Sequence, residues 1–348
     1  MKKFNFIWVL VSFFMVALTG CVEKTTGPFW HIHRVSNEVE WIQTLEEIRS
    51  SGDNKNHTIN IVSDFQVQGS GIRSFGNVNN LVVKITAEQP KNIFLTSQGS
   101  FLNIGQSQKV DFEKINIFGI EDNTTSLISV SGDFNMISGS IQGNTNIYNS
   151  AGWYEIGLLL SAGGVIVGSN GTFTMQGGSI HGNTGGYGGG IDVVDGSLIM
   201  HGGTIYGNTA RRDGGGVSMS GRNNSFTMYS GSIYENTAVH GGGVFVSGEF
   251  QMKGGTISSN IGGGIYSPPL GAQMMGSVAV ITMSGGTVYG TYESGVTLDL
   301  ANTNYALRSY EILTSGRIPI IKYGDGINVL PHTDGHEGYT EHTIFGRP

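Results

Sequence analysis

The sequence predicts an all-β fold, a right-handed parallel β-helix with an N-terminal capping helix, and three observations carry that prediction. A two-part motif recurs six times between residues 134 and 298. Inside each copy, apolar side chains alternate with period two, the mark of short strands with one buried face. Glycine is in large excess without a matching excess of proline, 56 against 7 in 348 residues, which argues against collagen and polyproline linkers.

The first part of the motif reads FNMISGSIQGN (134–144), FTMQGGSIHGN (173–183), LIMHGGTIYGN (198–208), FTMYSGSIYEN (226–236), FQMKGGTISSN (250–260) and ITMSGGTVYGT (281–291). The second part follows as GGVIV (163–167), GGGIDV (188–193), GGGVSM (214–219), GGGVFV (241–246), GGGIYS (262–267) and SGVTL (294–298). One such coil buries about five or six apolar side chains at ~1.5–3 kcal/mol each. Ordering its backbone costs ~1–2 kcal/mol per residue, so a coil is stable only against neighbours that share its hydrogen bonds and side-chain stacking. Phe, Met and Ile are therefore expected to stack inward on their own kind, about 4.8 Å apart. Asn144, Asn183, Asn208, Asn236 and Asn260 fall at one place in successive coils and are expected to form a ladder in a turn. The triple glycines are expected where the chain bends into the next strand.

The remaining elements follow in chain order. Residues 1–20 carry Lys2 and Lys3, an apolar run from Phe4 to Leu18, and then Thr19 and Gly20 before Cys21. The run is too short to span a bilayer comfortably and has the pattern of a secretory signal. Leu18-Thr19-Gly20-Cys21 resembles the lipobox of bacterial lipoprotein signal peptides, and the resemblance implies cleavage before Cys21 and lipidation of it. Cys21 is the only cysteine, so no internal disulfide is expected. Acyl chains at ~0.8 kcal/mol per buried methylene would hold the chain on a membrane, with residues 21–36 as a polar tether. Residues 37–52 read as a helix: Asn37 with Glu40 suggests a capping box, Val39, Trp41, Ile42, Leu45 and Ile48 form an apolar stripe, and Gly52 ends it. Its other face carries Glu38, Glu40, Glu46 and Glu47, which anionic lipid repels, so it is expected to cover the open base of the solenoid. The solenoid itself is expected over 53–300, with less regular coils (TINIV, NLVVKIT, SFLNI, KINIF, SLISVS) before the repeats. Residues 301–348 are expected to supply a C-terminal cap and a polar tail.

The tetrads GGGI (188–191), GGGV (214–217 and 241–244), IHGN (180–183), IYGN (205–208) and IYEN (233–236) resemble the repeats of polymorphic outer-membrane proteins, whose tetrads are GGA[ILV] and FxxN. Ile stands here where that family has Phe, and Gly where it has Ala. More broadly, the chain is similar to the repetitive β-helix surface lipoproteins of spirochaetes. The resemblance implies a location at the outer membrane and specifies fold better than activity. No run of alternating ten-residue amphipathic strands marks an autotransporter barrel, so the lipid is expected to serve as the anchor.

Charge and motif spacing exclude several functions. A net charge of −7 without a basic cluster leaves nothing to release counterions from phosphates, which argues against nucleic acid. GGYGGGIDVVDG lacks the following helix of a dinucleotide loop, and Asp192 and Asp195 have no equivalents in the other copies, unlike a calcium-binding repeat. No cofactor is expected. His332, Asp334, His336, Glu337 and His342 have no helix to converge them into a metal site. Carbohydrate-active enzymes of this fold use clustered carboxylates, and the candidates are Asp192, Asp195, Arg211, Arg212 and Asp213. Alternation places Asp192 outward, yet its equivalents are Ile166, Ser218, Phe245 and Tyr266. Tyr206, Tyr234 and Tyr289 share one repeat position with His181, and Phe245 and Tyr266 are neighbours elsewhere; such rings form a platform for glycans or protein partners or simply stabilise a sheet. The reading that follows is a lipid-anchored envelope protein of adhesion or ligand binding, with a carbohydrate-active enzyme or a scaffold for another envelope protein as alternatives.

Overall fold

The structure, a computed structural model, describes residues 29–71, 73–146, 162–221, 223–267 and 279–288, and the backbone of strands Leu307–Ser309, Ile320–Tyr323 and Asn328–Val329. Apart from one helix it is built from parallel strands that stack coil upon coil into a β-solenoid. The aligned sequence copies are the register: Phe173 pairs with Phe134 and Leu198, and Met175 with Met136 and Met200. Ile180 pairs with Ile141 and Ile205, and on the second sheet Ile191 pairs with Val165 and Val217. Parallel in-register pairing puts identical side chains directly over one another, so each inward position becomes a column. One column runs Phe112, Met136, Met175, Met200, Met228, Met252, Met283, and every member is fully buried. Apolar columns of this kind form one continuous core along the axis.

The M-x-G-G spacing has a packing cause. Behind each methionine strand the chain turns at a glycine of positive φ, such as Gly203 (φ 85°) and Gly255 (φ 90°). A Cβ on Gly203 would lie 2.6 Å from the Met175 Cε of the coil below. The methionine of one coil thus fills the space that a missing side chain leaves in the next, and only glycine meets both demands.

The base differs in part from expectation. The segment expected to be a tether contains a strand, β1 (Trp30–Val35), which pairs in parallel with β2 (Asn56–Ile61) as the first rung. Its alternation was hidden because Trp30 and Ile32 sit on the face opposite Val35. Helix α1 (Glu38–Ser50) lies between them in sequence. Asn37 Oδ1 accepts from the Glu40 N–H at 3.0 Å, and Glu40 Oε2 accepts from the Ser36 N–H at 2.7 Å. Trp41, Thr44, Leu45 and Ile48 form the buried stripe, and Trp41 stacks on Phe101 at 5.0 Å. Val39 and Ile42, expected in that stripe, are 74% and 40% exposed because they fall off the i, i+4, i+7 line. At the other end, Leu307–Ser309, Ile320–Tyr323 and Asn328–Val329 pair in register with the preceding coil. These three strands fall within residues 301–348, the segment expected to cap the C-terminal end.

Candidate binding face

Outward positions stack as the core does, and one outward column is rich in rings. Pairing runs from Phe94 to Phe118, Gln142, His181, Tyr206, Tyr234 and Ser258. Six steps of ~4.8 Å make it about 29 Å long. Phe94 stacks on Phe118 at 4.6 Å, His181 on Tyr206 at 4.7 Å, and Tyr206 on Tyr234 at 5.1 Å with the planes only 4° apart. Burial holds the His181 imidazole below its usual pKa, and burial, with the neighbouring Tyr206 phenol and Glu235 carboxylate, holds the Tyr234 phenol above its own. His181 and Tyr234 are therefore uncharged at neutral pH. Beside it, two residues back along each strand, runs a hydroxyl and amide column of Asn92, Asn116, Ser140, Ser179, Thr204, Ser232 and Thr256. Phe94 and Phe118 escaped the sequence reading because the early coils lack the glycine markers that align the later ones. Tyr289 lies outside the described residues.

Other rings stack on further faces of the coils. His201 stacks on Tyr229 at 4.7 Å, and Lys253 of the next coil sits 4.7 Å over the Tyr229 ring. Phe245 and Tyr266 are register neighbours stacked at 5.7 Å, as expected from their spacing. Tyr266, however, is only 6% exposed, with His240 stacked on it at 4.6 Å, so it is not part of an open platform.

The five repeat asparagines are fully buried and continuous. Asn144, Asn183, Asn208 and Asn236 each donate a backbone N–H to the Oδ1 of the next asparagine at 3.0–3.1 Å. Asn123 extends the column downward, donating from Nδ2 to Asn144 Oδ1 at 2.8 Å. These amides do structural work, satisfying turn groups that no strand partner reaches.

The acidic candidates do not converge. Asp192 points away from the apolar core, but it is fully buried rather than solvated. Ser220 Oγ donates to its Oδ1 at 2.8 Å, while Oδ2 has no hydrogen-bond partner among the described residues. Burial lifts its pKa to about 7 against the opposing hydroxyls of Ser220 and Ser218. Alternation reports which side of a strand a residue takes, not what returns to cover that side. Here Tyr187, in the loop ahead of the strand, lies near enough for the Asp192 carboxyl to act on its phenol; it is 3% exposed and carries Arg212 over its ring at 5.3 Å. Asp213 is paired with His240, Oδ1 to Nδ1 at 2.8 Å, a partner the sequence did not suggest. Arg211 is exposed. Asp195 sits in the turn after the Asp192 strand at φ 60° and accepts from the Asn223 N–H at 3.0 Å. It borders an open concavity of about 320 Å³ with Asn170 and Ser197.

The fold and this surface define a parallel β-solenoid with a neutral ring-and-hydroxyl face. No protein-family model matches the chain, and no curated protein or solved structure is similar enough to establish a relationship. Among the described residues, no group of three or more His, Cys, Asp or Glu is placed to hold a metal ion, and no helix is long and apolar enough to cross a membrane. His332, Asp334, His336, Glu337 and His342, like Cys21, lie outside the described residues.

Proposed function

We infer that the chain is a lipid-anchored envelope protein whose solenoid displays a binding face for neutral glycans, acting in adhesion or ligand binding rather than catalysis. The observation that carries this reading is the paired column: the ring stacks Phe94–Phe118 and His181–Tyr206–Tyr234 beside a row of uncharged hydroxyls and amides. Rings supply contact area at low entropic cost, and hydroxyls match sugar hydroxyls without a desolvated charge. A catalytic reading is less well supported, because Asp192 is covered and Asp213 is held by His240. The anchor rests on Leu18-Thr19-Gly20-Cys21, and the likeness to polymorphic outer-membrane protein repeats supports display at the cell surface.

The test applies the purified protein to immobilised neutral and acidic polysaccharides, beside a Tyr206→Ala, Tyr234→Ala double variant. Retention on neutral polymers that the double variant loses is expected. Equal retention of both proteins, or cleavage of any polymer, contradicts the reading. In the same cells, Cys21→Ser should move the protein from the membrane fraction to the soluble one.

A further inference from the structure

Rings stacked face to face hide their faces from any ligand. In the Tyr206–Tyr234 pair, at 5.1 Å and 4° between planes, each ring covers its neighbour and offers solvent only an edge and a hydroxyl. A ligand that stacks must find the end of a stack. His181 is followed below by Gln142, whose long side chain stands at that end and donates from Nε2 to Ser140 Oγ at 2.6 Å. Above Tyr229 in the second stack, Lys253 closes the end, with its Nζ 3.4 Å from the Tyr229 hydroxyl. Above Tyr234 the same coil supplies Ser258, which is too short to cover a six-membered ring. Among the described residues no ring or cation lies over that upper face of Tyr234.

We propose that the step where Ser258 succeeds Tyr234 is a stacking subsite for one pyranose ring of a neutral, β-linked, gluco-configured glycan. The proposal rests on the binding-face reading above and names where on that face, and by what chemistry, the sugar is held. With Ser258 in place of a third ring, the next level of the column, about 4.8 Å above Tyr234, holds no ring, and that spacing suits a flat saturated ring lying on an aromatic one. The walls favour a sugar over an aromatic side chain: Ser232 and Thr256 stand in the adjacent column and Ser258 forms the floor, so each of the three side chains lining the step brings a hydroxyl. Exposed Glu235 beside Tyr234 disfavours an acidic sugar. A gluco-configured pyranose in β linkage, with its hydroxyls and its glycosidic bond equatorial, presents an apolar face to the ring and a polar rim to the serines.

The discriminating variant is Ser258→Tyr, which continues the stack with the residue the two coils below already use and so fills the step without disturbing the fold. Cellohexaose and chitohexaose would be titrated by calorimetry into the wild-type protein, Ser258→Tyr and Tyr234→Ser, with an oligogalacturonate as the acidic control. Thermal unfolding would be recorded for each protein. The expected result is wild-type binding to at least one neutral oligosaccharide, weakened about tenfold or more in both variants, with the Ser258→Tyr transition temperature unchanged or raised. Wild-type binding that survives unaltered in Ser258→Tyr overturns this subsite while leaving the wider face standing. Absence of wild-type binding to either neutral probe, or preference for the oligogalacturonate, overturns both.

Discussion

A carboxyl group sealed from water either ionises at high electrostatic cost or keeps its proton past the usual range. Asp192 does the second, with its pKa raised to about 7 by burial. The folded form then holds a proton between pH 3.8 and about 7 that the unfolded chain has released, so stability falls as pH rises through that window and levels off above it. His57 acts in the opposite sense. Burial, with the nearby His33, His31 and Lys55 charges, lowers its pKa from 6.5 to about 4, so its contribution is present above pH 6.5 and is lost as pH falls toward 4. The two windows overlap and oppose one another. Asp192→Asn should therefore unmask a rise in stability from pH 4 to 6.5 that the wild type conceals, measured by denaturant midpoints across pH; an unchanged profile would show that Asp192 is ionised when folded. The asparagine column allows a second prediction at this scale. Asn208 Oδ1 accepts from the Asn183 N–H, and its Nδ2 donates to the Ile180 carbonyl at 2.9 Å. Asn208→Ala removes the partner of two buried backbone groups at ~1–3 kcal/mol each and should cost ~2–6 kcal/mol in chemical unfolding.

The element that repeats is a strand, a glycine turn and a second strand, and its logic is vertical. Gly203→Ala would force a Cβ to 2.6 Å from Met175 Cε and 2.8 Å from the Gly178 carbonyl oxygen, at a residue of φ 85°. It should cost ~2 kcal/mol or more by thermal unfolding, whereas Gly207→Ala, at φ 61° with space around it, should cost less. Elements whose sequence repeats were the legible ones. Aligning the copies by Met and Asn amounts to stating the parallel register, which is why the core columns and the Tyr206–Tyr234 stack follow from the text of the chain. The strand Leu81–Leu95 has no glycine tetrad to align, so Phe94 and its partner Phe118 stayed hidden until pairing placed them in the same column. Strand β1 was obscured by its apolar Trp30 and Ile32 opposite Val35, and Asp192 by a covering loop whose path no period records.

A stack of mutually supporting coils is weakest where the stacking stops, because a terminal coil has one neighbour instead of two and an open apolar end. The base solves this with α1. Trp41 is fully buried on Phe101, and Glu38 reaches across to Arg73 Nη2 at 2.9 Å, fastening the start of the helix to a coil loop. An uncovered core end beside the strand edge of β1 would be a template for end-to-end association. Trp41→Ala should cost ~3–5 kcal/mol, the range for emptying a large aromatic site, and it should do more than that. Opening the base exposes a surface that matches the interior of the same solenoid, so the variant should form elongated oligomers in sedimentation at concentrations where the wild type does not. Phe226→Ala, within the solenoid, also empties a large aromatic site but leaves α1 in place on the core, so it should lose similar stability without associating. If the two variants associate equally, the helix serves only as packing and the rod is kept single by some other feature.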